Sequence, residues 1–146
     1  MALFREGYNC CQAVVLAFSD VVGERTGLSE EQIIAVTSGF GGGFARLREV
    51  CGSVSGMTFM AGVMSPAPAA DQPARTANYA LVQDLAGRFR ELNGSIVCRE
   101  LLGLRTAQVD PPVPSVRTPD FYKVRPCERL IGSAARLVAE KLQEVE

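Results

Sequence analysis

The chain has 146 residues, with 15 basic and 16 acidic side chains, no histidine, and a formal net charge of −1. Balanced charge without a basic stripe argues against nucleic acid as a partner, and the missing histidine excludes a mixed Cys/His zinc site and a c-type haem. The length fits one domain, residues 1–146, that buries a core without disulfide staples.

Asn9 is a good N-cap for a helix over residues 10–22, whose apolar Val14, Leu16, Phe18, Val21 and Val22 form one face and which Gly23 stops. Ser29 and Gln32 make a capping box for Glu30–Thr37. Ser38-Gly-Phe-Gly-Gly-Gly-Phe then breaks the pattern. Residues 49–64 read as a helix of small side chains, in which Gly52, Ser53 and Gly56 leave a groove for a second helix or for another copy of the chain. That stretch, at residues 50–64 the most apolar of the chain, is shorter than the roughly 20 residues a bilayer needs, so no membrane-spanning helix is expected.

Residues 65–73 are a Pro/Ala loop. Residues 74–92 carry Ala77, Leu81, Leu85 and Phe89 at helical spacing, and Asn93-Gly94 stops them. Ser95 is positioned to cap a short helix over residues 96–102, with Cys98 at its third position. Residues 105–125, with Pro111, Pro112, Pro114 and Pro119, are the least regular segment. Pro126 suits a first helical position, and Cys127 follows it. The last helix runs to about Glu144 on an apolar face of Leu130, Ile131, Ala134, Leu137, Val138 and Leu142. No alternating strand pattern and no repeat occur. The fold class expected is all-α, a compact bundle of five or six helices with a glycine-rich turn and a Pro-rich loop.

Met1-Ala-Leu-Phe-Arg-Glu-Gly lacks a basic start followed by an apolar run, so no signal peptide is expected and the location expected is cytoplasmic. Unpaired cysteines there serve catalysis or metal binding more often than structure.

Cys10, Cys51, Cys98 and Cys127 each fall in or beside the first turn of an expected helix, where the helix dipole favours the thiolate. Cys11 is read as a packing residue or spare thiol. No Cys-x-x-Cys occurs, which argues against a thioredoxin-type dithiol or a zinc ribbon. Two uses of the four thiols remain: an all-cysteine site for zinc or an iron–sulfur cluster, or pairs that cycle with disulfides. Arg46 and Arg48 lie close to Cys51 in sequence; if they face it, Cys51 is the most nucleophilic thiol and the pair can hold an anionic partner. The glycine run lacks the Lys-Ser/Thr of a P-loop and is read as a tight turn packed close to the sulfurs.

Gly7-Tyr8-Asn9-Cys10-Cys11-Gln12-Ala13-Val14, the glycine run, Glu49-Val50-Cys51-Gly52-Ser53-Val54-Ser55-Gly56 and the isolated Cys98 and Cys127 together resemble the C_GCAxxG_C_C family over nearly the whole chain. Ser53 stands where that motif has Ala, and Cys11 where it has a small residue. The resemblance implies a redox-active protein with four characteristic cysteines, an unidentified redox partner and genes that lie near transporter genes. Its site residues are then Cys10, Cys51, Cys98 and Cys127, as iron–sulfur or zinc ligands or as exchanging thiols. The contrasting expectation is a non-enzymatic binding module tied to a transport system. In it the glycine turn, the arginines and the Pro-rich loop form a pocket and the cysteines only pack.

Overall fold

The computed structural model describes residues 1–104 and 110–145. Its helices are α1 (Ala2–Arg5), α2 (Cys10–Leu16), α3 (Ser19–Thr26), α4 (Glu30–Thr37), α5 (the single turn Gly41–Phe44), α6 (Gly52–Met64), α7 (Gln72–Asn93), α8 (Cys98–Leu101), α9 (Pro119–Val124) and α10 (Cys127–Glu144). No strand occurs among the described residues, only one antiparallel bridge between Val50 and Val97. The all-α expectation holds. Of the segment read as irregular, residues 105–109 lie outside the described residues.

Helix α6 is the centre: α2, α7 and α10 all pack on it. That explains its pattern. A helix covered on several sides needs no polar face, and Gly52, Val54, Gly56, Met57, Met60, Ala61 and Val63 are all buried. A Cβ built on Gly56 would sit 2.8 Å from Val14 Cβ, so the small-residue groove is filled by α2 of the same chain. Among the described residues, no helix is long and apolar enough to cross a membrane.

Helix α10 has no side-chain cap, since Pro126 precedes it. Its stability comes instead from burying Leu130, Ile131, Leu137, Val138 and Leu142, each contributing about 1.5–3 kcal/mol where a cap contributes about 1 kcal/mol.

Several boundaries differ from expectation. The first expected helix is two: Phe18 leaves helical geometry at φ −123 and ψ 29, and α3 runs past Gly23 to Gly27, whose φ of +78 ends it. Helix α6 starts at Gly52 and not at residue 49, because Val50 is extended in the bridge. The same bridge holds Val97 extended, so Cys98 is the first residue of α8 and not the third. Ser95 therefore caps no helix; its hydroxyl accepts from the Val97 amide at 2.9 Å and donates to Glu100. Two helices escaped the pattern. Thr118 caps α9 with Pro119 behind it, inside the segment read as irregular. Helix α1 buries Phe4 against Phe121 and Tyr122 of α9, ring centroids 6.1 and 5.8 Å away.

Candidate functional site

Cys10 is the first residue of α2, in the place set by a capping box in which Asn9 and Gln12 exchange bonds of 2.9 and 3.0 Å. Asn9 Nδ2 also donates to the Ser38 carbonyl at 3.0 Å, tying this helix start to the glycine-rich turn. Cys51 caps α6 and Cys98 opens α8. Their backbones are zipped together: Cys51 N donates to Ile96 O at 2.8 Å and Cys98 N to Glu49 O at 2.6 Å, flanking the Val50–Val97 bridge. Alternation along extended backbone turns the flanking residues away from the Val50/Val97 face. Cys127 opens α10.

Close approach decides two glycines. A Cβ on Gly52 would overlap Cys10 Sγ, and one on Gly43 would lie 2.7 Å from Cys98 Cβ. The turn between them is folded tightly. Phe44, Ala45, Arg46 and Arg48 have φ of +63, +49, +69 and +61, a left-handed geometry unfavourable for residues with a Cβ. It is closed by Arg48 N to Gly42 O at 3.2 Å and Glu49 N to Gly43 O at 3.0 Å. The result aims Arg46 and Arg48 inward.

All four cysteines line one cavity of about 310 Å³, together with Arg46, Arg48, Arg117, Arg125, Ser53, Pro112 and Pro114. The thiols, the glycine turn and the Pro-rich segment, which the sequence offered as parts of rival readings, are walls of the same space. Cys10 is its hub, since charge on Cys10 acts on Cys51 and Cys127 and charge on Cys98 acts on Cys10. All five cysteines are free thiols. Cys11, 1% exposed, lies within the core as a packing residue.

The expected thiolate-favouring dipole does not prevail. Burial pushes Cys51 up to about 12, with Cys10 adding to it, while the Ser53 amide and hydroxyl and the Val54 amide pull the other way. Burial pushes Cys127 up to about 11 against the pull of Arg125, and it raises Cys10 against the Gly42 amide. Desolvating a thiolate costs several kcal/mol, whereas a helix terminus returns at most about 2 kcal/mol.

The arginines also face elsewhere than expected. Arg48, 5% exposed, donates from Nη1 to Cys98 Sγ at 3.8 Å and from Nε to Asp110 at 2.6 Å. Arg46 donates to Ser115 at 2.9 Å. Cys98, not Cys51, therefore has the guanidinium beside it. Asp110 is held below the usual carboxylate range, chiefly by its bond from Arg48. Asp110, Arg117 and Arg125 were not singled out in the sequence; they entered only as members of the Pro-rich segment 105–125 offered as a pocket wall.

A zinc ion or an iron–sulfur cluster needs three or more thiolates around one point. Among the described residues, no group of three or more Cys, Asp or Glu is arranged to hold a metal ion. The donor set as folded does not fit such a group.

Residues 8–141 match the model of the family described as "Putative redox-active protein (C_GCAxxG_C_C)". No curated protein and no solved structure matches the chain.

Proposed function

This chain belongs to the C_GCAxxG_C_C family, and from that premise we propose that it carries out thiol–disulfide exchange with Cys98 and Cys10 as the working pair. The observation that carries this is the Arg48 guanidinium 3.8 Å from Cys98 Sγ, inside the cavity that the other three thiols line. A guanidinium beside a sulfur gives it the electropositive surroundings that reactive cysteines share.

The Cys98 thiolate attacks a disulfide RSSR, a mixed disulfide forms, and one RS⁻ leaves to take up a proton. Cys10, which lines the same cavity and, like Cys127, feels charge on Cys98, then loses its proton and attacks Cys98 Sγ. The second RS⁻ leaves and is protonated. Two protein thiols become one Cys10–Cys98 disulfide, and RSSR is reduced by two electrons to two RSH.

Oxidising the reduced protein with a stoichiometric small disulfide, then mapping linkages by mass spectrometry, tests the pair. A Cys10–Cys98 linkage is expected, with the mixed disulfide accumulating in Cys10→Ser and no linkage in Cys98→Ser. Other linkages in the wild type, or a brown iron-loaded protein after anaerobic purification, overturn the reading.

A further inference from the structure

We propose that the cavity selects an anionic substrate, a small disulfide bearing carboxylate groups; this rests on the exchange reading above. Four arginines line it, and among the described residues no Asp or Glu does. Asp110 compensates Arg48 at 2.6 Å and reaches Arg46 only at 4.0 Å. Arg117 spends its donors on the Phe4 and Tyr8 carbonyls and lies 4.2 Å from the Phe4 ring centroid, none of which cancels its charge. Arg125 lies over the Phe121 ring at 5.3 Å and pairs with no carboxylate among the described residues. The space therefore holds excess positive charge.

One buried donor there, Arg46 Nε, has no hydrogen-bond partner, and Ser53 Oγ, on a residue 0% exposed, has only the Cys51 sulfur beside it. A buried donor left unpaired is unfavourable by about 1–3 kcal/mol, and an anionic acceptor removes that penalty. The start of α6 at Gly52 and Ser53 also lines the cavity and favours negative charge. At about 310 Å³ the space is at the small end of ligand pockets, sized for a metabolite and not a protein segment. In the exchange step the carboxylates remain bound to the arginines while the disulfide bond breaks, and the products are two carboxylated thiols.

The test compares rates of oxidation of the reduced protein by the symmetrical disulfides of 3-mercaptopropionate, 2-mercaptoethanol and cysteamine, each divided by its rate with dithiothreitol. The anionic disulfide is expected to lead the neutral one by about tenfold at low salt, with the advantage shrinking in 0.5 M chloride, where the Debye length is about 4 Å against about 30 Å at 0.01 M. Arg125→Gln is expected to reduce the advantage. Ser53→Ala is expected to slow the anionic reagent about two- to tenfold, the effect of one hydrogen bond. A cationic disulfide as fast as the anionic one overturns the proposal. If none of the three oxidises the protein, the exchange reading fails. The anion site is then judged by calorimetry of the redox-inert 3,3′-thiodipropionate with Cys98→Ser. Binding that Arg125→Gln abolishes upholds the site, and no heat at millimolar concentration ends it.

Discussion

Arg48 Nη1 lies 3.8 Å from Cys98 Sγ across a sequence separation of 50 residues. The contact exists because Arg48 takes a left-handed φ of +61 and because the amide of Arg99 donates to the Arg48 carbonyl at 3.1 Å. One backbone bridge thus sets both the cation and the sulfur. It makes Cys98 the thiol with an adjacent cation and leaves Cys51 among amides.

Limited alkylation at pH 8 is therefore expected to label Cys98 ahead of Cys51 and Cys127. Arg48→Gln is expected to slow Cys98 labelling about fivefold, from losing about 1 kcal/mol, the net worth of an ordinary hydrogen bond. Peptide mapping after timed iodoacetamide quenches gives the order, and circular dichroism confirms that the variant is folded. Cys51 labelling first contradicts the assignment.

The raised thiols also predict an alkaline weakness. Cys51 and Cys127 ionise near 12 and 11 when folded but near 9.0 when unfolded. Above pH 9 the unfolded chain holds fewer protons than the folded one, so stability is full below pH 9 and falls as pH rises toward 11–12. Each thiol removes about 1.4 kcal/mol per pH unit within that window. Urea midpoints at pH 8, 9.5 and 10.5 are expected to fall, with a shallower fall in Cys51→Ala. Equal slopes for the two proteins would exclude Cys51 as a cause.

Glycine contacts separate two otherwise similar substitutions. Gly52→Ala places a Cβ onto Cys10 Sγ and 2.9 Å from the Phe40 carbonyl, and overpacking of this kind destabilises by about 1–3 kcal/mol. Gly87→Ala in α7 meets nothing within 4 Å and is expected to stabilise by about 0.5–1 kcal/mol through helix propensity. Denaturant midpoints of the two variants should move in opposite directions.

Asn9→Ala removes both the cap of α2 and the bond to the Ser38 carbonyl. A loss of about 1–2 kcal/mol is expected. Because the same residue sets the start of the helix at Cys10, closure of the Cys10–Cys98 disulfide should also slow. Destabilisation with unchanged closure would confine Asn9 to a structural role.

How far the chain could be read follows from the range of each interaction. The cap at Asn9 and the box at Ser29/Gln32 act within three residues and were visible directly, and the structure adds Gln12 as the return partner of Asn9. So was the apolar face of α10. Helix α9 was legible in Thr118-Pro119 but was obscured by the surrounding prolines. The starts of α6 and α8 were not readable, because each depends on the bridge of Val50 to Val97.

The thiols divide along the same line. The placement of Cys10 and Cys127 at helix starts is local, and the chain by itself determined it through the Asn9 cap, Pro126 and the apolar period, whereas the exact starts beside Cys51 and Cys98 depend on the Val50–Val97 bridge. Which sulfur has a cation beside it, and whether a thiol is raised or lowered, only the folded molecule decided. Both depend on solvent exclusion and on partners up to 50 residues away, and at Cys10, Cys51 and Cys127 burial outweighs the dipole that the sequence reveals.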